Sequence, residues 1–330
     1  MHDARDEILQ WVKDGVLPPE RLRDALRMAG VTPSAAQWRA FLERLLTWLG
    51  AALIAAAAVY FVAANWQALG RYARFALVEG ALVVCLACVW WRGLDTLAGR
   101  AALFATAVLT GVLLALVGQV YQTGADTFEL FALWAAAIVV WVVAGRQPAL
   151  WLLWLALVDI AVLLYFRTAA GAAFGLTGFL FAPREALWIV FALDSAALVV
   201  WEWLAPRHDG WLAVRWAPRV LATASGALIT FLVLHDIVWF RHGASQWSWL
   251  PYVAWIGAMY WAYRLRTRDL FALSGMVLSM IVVVAFALGR PLLEHGGAAG
   301  FLIVGMILIA CAAAGSFWLR AVAAEDGRSA

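Results

Sequence analysis

From Leu45 onward the chain is a succession of apolar runs, each near the ~20 residues that cross a bilayer as a helix, parted by short polar connections. Ten are recognised, at Leu45–Ala64, Phe75–Trp91, Ala101–Val120, Phe128–Ala144, Ala149–Phe166, Ala186–Leu204, Val220–Phe240, Trp247–Tyr263, Leu270–Leu288 and Ala298–Leu319. Ahead of them, residues 1–44 read as a small head. Ile8, Leu9 and Val12 fall at helical spacing with Gly15 as the stop, and Pro19 opens a second helix carrying Leu22, Ala25, Leu26 and Ala29 up to Gly30. Ser34 is the N-cap expected for a third helix, which passes through Trp38 and Phe41 into the first run. Trp90, Trp91, Trp201, Trp203, Trp247, Trp249 and Trp318 mark run ends, where an indole ring is stable between hydrocarbon and headgroups. The expectation is an all-α, polytopic membrane helix bundle of about ten transmembrane helices. Its parts are a soluble helical head at 1–44, the bundle at 45–320 and a tail at 321–330.

Composition excludes the alternatives. Of 330 residues, 65% are apolar and 14% charged, against ~25% charged in an average soluble domain. A soluble fold needs more polar surface than this to cover its core. The net charge of +3 offers no basic face, so no nucleic-acid partner is expected. Lys13 is the sole lysine, which removes a P-loop and any intramembrane catalytic lysine. Cys85, Cys88 and Cys311 sit in apolar runs and give no disulfide framework. Cys85-x-x-Cys88 reads better as small apolar filler than as a metal or redox site. The amphipathic start MHDARDEILQWVKDG shows no signal peptide, and the first apolar run is expected to stay as an anchor.

Lys and Arg in the connections set the orientation. With the N-terminus cytoplasmic, 18 of the 24 basic residues fall inside and 6 outside. That favours both termini on the cytoplasmic side of a bacterial inner membrane. The connection Arg167–Glu185, with Gly171, Gly175 and Gly178, reads as an outer loop or a re-entrant segment. Gly296-Gly297-Ala298-Ala299-Gly300 reads as a close-packing stripe or as a flexible lead into the last run.

The topology collects polar residues at one rim. The first run ends at Asn65 and Trp66, the turn carries Arg71 and Arg74, and Glu79 lies one turn inside the second run. The third run ends in Gly118-Gln119-Val120-Tyr121-Gln122-Thr123-Gly124-Ala125-Asp126, with Glu129 beyond. These groups either form an outward-opening site for a small polar solute or ion, or cap helix ends. In the site reading, which also includes Asn65, Gln119, Gln122 and Asp126, Arg71 and Arg74 hold anionic groups, Trp66 and Tyr121 stack or hydrogen-bond, and Glu79 exchanges a proton.

The helical head, the Ala-Ala-Asn-Trp ending and the Gly-Gln-x-Tyr-Gln-x-Gly-Ala-Asp stretch resemble the bacterial membrane proteins of domain-of-unknown-function family 2157. The resemblance spans about the first 145 residues. It implies a multi-pass inner-membrane protein and supplies no catalytic residue.

A second class of candidates is the acids within runs: Glu79, Asp159, Asp194 and Asp236, with His235 beside the last. A mid-depth acid facing lipid costs ~2.5–3.5 kcal/mol, so these side chains should face the bundle. Asp194 is deepest by residue count. His235 and Asp236, adjacent on a helix, point ~100° apart and do not simply pair. Glu202, between two tryptophans, reads as an interface residue. No metal-ligand spacing appears among the histidines, and no cofactor is expected. Three readings stay open: solute or ion transport, a membrane enzyme on a lipid-linked substrate using Asp194, Asp236 and His235, and a scaffold whose head recruits a protein partner.

Overall fold

The computed structural model describes residues 2–29, 35–64, 66, 68–170, 183–207, 210–239, 247–295 and 297–328. Among these it is helical almost throughout, with no strand. Twelve α-helices follow in order: α1 His2–Lys13, α2 Leu22–Met28, α3 Ala35–Ala64, α4 Arg71–Arg92, α5 Leu97–Tyr121 and α6 Thr127–Gly145. Then come α7 Pro148–Ala170, α8 Arg184–Leu204, α9 Trp216–Trp239, α10 Trp249–Tyr260, α11 Leu270–His295 and α12 Gly297–Arg328.

Eight of these, α4 to α9 with α11 and α12, are long and apolar enough to cross a membrane. α3 is a further 30-residue helix, whose residues 45–64 contain no charged side chain. The eighth apolar run is the exception in form. α10 has 12 residues and continues without a break as a six-residue π-helical turn, Trp261–Arg266. It thus begins two residues later and ends three later than the hydropathy pattern suggests. Gly171, Gly175 and Gly178, and with them the choice between loop and re-entrant segment, lie outside the described residues. So do Gly30, Ser34, Asn65 and Gly296.

The chain divides into two units, 1–74 and 75–330. In the first, α1 packs on α2 and buries Ile8. Gly15 takes φ +73° beyond α1, a left-handed stop that glycine adopts without strain. In the second unit, α5 to α7 share one core of Leu103, Ala107, Ile138, Val142, Leu150 and Leu157. Trp134 locks α5 to α6: its indole N–H donates to the Ala107 carbonyl at 2.8 Å. The same ring lies over Gly111, where a Cβ would come within 2.2 Å of it.

The larger core surrounds α9, whose Ile229, Leu232 and Val233 are fully buried beside Leu273 of α11. Half of the α9 span is buried, more than of any other span. Hydroxyls tie the helices around it where lipid offers no alternative partner. Thr230 Oγ1 and Ser279 Oγ are 2.6 Å apart, Tyr252 Oη and Ser279 Oγ 3.1 Å, and Trp255 Nε1 donates to Ser225 Oγ at 3.3 Å. α11 and α12 pack closely at Gly315, where a Cβ would meet Val277 at 2.6 Å.

Candidate functional site

α8 carries charge at three levels. Arg184 opens it, Asp194 stands at its middle and Glu202 near its end. At 1.5 Å per residue the gaps are about 15 Å and 12 Å. Each of the three meets a partner from a different part of the bundle.

At the first level the Arg184 guanidinium reaches Asp236 at 2.7 Å, with Asp236 1% exposed near the end of α9. Arg184 also donates to Ser248 Oγ at 2.9 Å, and the Ser248 backbone N–H donates to Asp236 at 3.3 Å. His235 is electrostatically coupled to both charges. Arg290 of α11 donates to the Ile237 carbonyl beside them. This cation reaches in from a helix end, since none is available within an apolar run.

At the middle level Asp194, 4% exposed, comes within hydrogen-bonding reach of Asp159 of α7. Asp159 is the twelfth residue of 23 in α7, and Asp194 the eleventh of 21 in α8. Two carboxylates are acceptors only, so a bond between them requires a proton. The two carboxyl groups face each other between two apolar helices, with no Lys or Arg within seven residues on either.

At the third level Glu202 accepts from Tyr263 Oη at 2.8 Å and pairs with Arg215 at 3.2 Å. Arg215 also pairs with Asp269 at 3.3 Å, and Arg219 with Asp269 at 3.0 Å. Burial alone would push the Asp269 carboxyl up. The Arg219 hydrogen bond and charge, the Ala272 backbone N–H and Arg215 outweigh it, holding the group below its ordinary value. Arg264 pairs with Glu325 at the same end. Tryptophans close the neighbouring surface: Trp201 Nε1 donates to the Leu212 carbonyl, and Trp211 stacks on Trp151.

The rim residues of the first half have local work instead. In the first unit, Arg74 lies 5.1 Å from the Trp66 ring centre and donates to the Leu69 carbonyl, while Arg71 bonds Tyr72. In the second unit, Glu79 and Gln119 are exposed. Tyr121 is exposed too, its ring 6.2 Å from that of Phe75. Gln122 ends α5 in the left-handed conformation, and the Glu129 carboxylate accepts from the Asp126 N–H at the start of α6. Three cavities lie among α8 to α12, and none of the three is lined by these residues.

The sequence alone picked out Asp159, Asp194, His235 and Asp236, but not Arg184, Ser248, Arg215, Arg219, Tyr263 or Asp269. For Arg215, Arg219 and Asp269 the signal lay in an acid facing arginines across consecutive connections at one end, while Arg184 and Ser248 lie at the other. No group of three or more His, Cys, Asp or Glu capable of holding a metal occurs among the described residues. Cys85 and Cys88 are free thiols on α4.

The fold and its charge distribution define a polytopic α-helical membrane protein. Residues 9–151 match the model of a family of predicted membrane proteins, DUF2157, and this is the family to which the Ala-Ala-Asn-Trp and Gly-Gln-x-Tyr-Gln stretches point. No curated protein and no solved structure matches the chain.

Proposed function

We propose that the protein binds a small ion within the membrane and passes it across, with the Asp159–Asp194 pair as the binding site and a proton as its first occupant. The observation that carries this is the contact of two carboxyl groups at mid-helix in adjacent apolar spans. A single mid-depth acid is a costly feature, and a proton-sharing pair is the arrangement on which membrane proton relays are built. The rim residues Asn65 to Asp126 are not needed for it, since capping and stacking account for Trp66, Arg71, Arg74, Tyr121, Gln122 and Asp126, and Glu79 and Gln119 are exposed. The Arg184–Asp236 and Glu202–Arg215 clusters sit on the two sides of the pair along α8 and would bound the route. The protein resides in a bacterial inner membrane with both termini cytoplasmic. The excess of arginine on the Glu202 side of the bundle supports this direction.

Proton flux into proteoliposomes, driven by a potassium diffusion potential and read by an internal pH dye, tests the reading. Wild type should acidify the lumen faster than protein-free vesicles, and Asp159→Asn and Asp194→Asn should each abolish the difference. Flux equal in all four preparations, with no stabilisation of the purified protein by Na⁺ or K⁺, would remove ion passage as the function.

A further inference from the structure

A groove of about 530 Å³ runs between α8 and the helix formed by α10 and its π-turn. On α8 it extends from Phe191 to Trp203, about 18 Å at the helical rise. That is close to one leaflet's share of the ~30 Å hydrocarbon core. Its walls are apolar, and Ala254, Ala258 and Ala262 keep them shallow.

The mouth differs from the walls. Trp203 and Trp261, on opposite sides and both more than half exposed, mark the level where hydrocarbon meets headgroups. An arginine stacks on each: Arg207 lies 4.0 Å from the Trp203 ring centre and Arg266 5.8 Å from that of Trp261. Neither arginine has an acidic partner among the described residues, whereas Glu202 at the same mouth is already held by Arg215 and Tyr263. Among the described residues the mouth thus presents two cations without an acidic partner above an apolar slot of one-leaflet length.

We propose that this groove is a binding site for one anionic phospholipid, its acyl chain along Ala254, Ala258 and Ala262 and its phosphate between Arg207 and Arg266. The site is separate from the Asp159–Asp194 pair and does not depend on what that pair does. Charge selects the headgroup and the slot selects a chain-bearing ligand. Arg207 spends one N–H on the Trp203 carbonyl, and the remaining donors of each ring-oriented guanidinium are available for phosphate oxygens.

Native mass spectrometry of the full chain, delipidated in detergent and titrated with phosphatidylglycerol or phosphatidylcholine of the same chains, decides it. Wild type should retain one phosphatidylglycerol in preference to phosphatidylcholine. Each near-surface arginine raises anionic-lipid affinity about fivefold, so Arg207→Gln/Arg266→Gln should lower retention about thirtyfold and erase the preference. Ala258→Trp, which fills the slot but leaves both arginines, should lower retention with either headgroup, and glycerol phosphate should not compete. Equal retention of the two lipids, or a double variant that behaves as wild type, overturns the headgroup assignment. Undiminished retention by Ala258→Trp, or displacement by glycerol phosphate, overturns the chain's place in the groove. Both arginines are on the surface, so the arginine arm still decides should Ala258→Trp fail to fold.

Discussion

Replacing Arg184 by glutamine isolates the energetics of a buried ion pair in this bundle. The guanidinium makes a 2.7 Å contact with Asp236, whose side chain is 1% exposed, and a 2.9 Å bond to Ser248. Glutamine keeps a polar stem but removes the charge. Asp236 is then left buried without the Arg184 cation, supported by the Ser248 N–H at 3.3 Å. Removing one partner of such a pair costs about 3–5 kcal/mol, because the remaining charge is uncompensated. A neutral hydrogen-bonded replacement of both partners costs much less, since the desolvation of two ions is removed together with their attraction. Arg184→Gln should therefore destabilise strongly, Asp236→Asn somewhat less, and Arg184→Gln/Asp236→Asn less than either alone. The assay is the denaturant midpoint of the purified protein in mild detergent, followed by tryptophan fluorescence for the four members of the cycle. Additive single losses, or an Arg184→Gln loss below about 1 kcal/mol, would refute the argument. The pair would then behave as an exposed one, screened by solvent.

Other outcomes follow from the same structure. Asp269 is held below its ordinary value, so its contribution to stability is complete above the carboxylate range near about 3.9. It is lost as pH falls through the lower folded value. Asp269→Asn should thus flatten the acid limb of the stability–pH curve, and an unchanged limb would deny the arginine contacts their role. Gly111→Ala drives a methyl group into the Trp134 ring and should cost about 1–3 kcal/mol by overpacking, read as a lowered Tm; an unshifted Tm would contradict the packing of α5 on α6. In a cysteine-free background, Gln122→Cys should react with an impermeant thiol reagent from outside intact cells and Arg146→Cys should not. The reverse pattern would invert the orientation.

The succession of spans was legible because a helix in lipid must satisfy its backbone internally, so apolar length alone announces it. The ends were legible where chemistry is local: Gln122, Gly124 and Asp126 ended one helix and began the next within a few residues. The π-turn was not legible, since Trp261–Arg266 differs from a regular helix only in its hydrogen-bond register. The three levels of α8 were half legible. Asp194 stood out as an acid in an apolar run, but its partner Asp159 lies 35 positions earlier, across the connection 171–183, and no local spacing announces such a meeting. Arg215, Arg219 and Arg266 counted at first only as basic residues of one side. Their pairing, or lack of it, depends on how α8, α9 and the π-turn converge.

The account rests on a proton shared between two carboxyl groups in the middle of the bundle. Infrared spectroscopy of the purified protein at neutral pH measures it directly, through the carbonyl stretch of protonated carboxyl groups and its shift in heavy water. Wild type should show a protonated-carboxyl band that disappears or moves in both Asp159→Asn and Asp194→Asn. A spectrum without such a band, or a band unaltered by either substitution, would contradict the shared proton and the ion-binding role drawn from it.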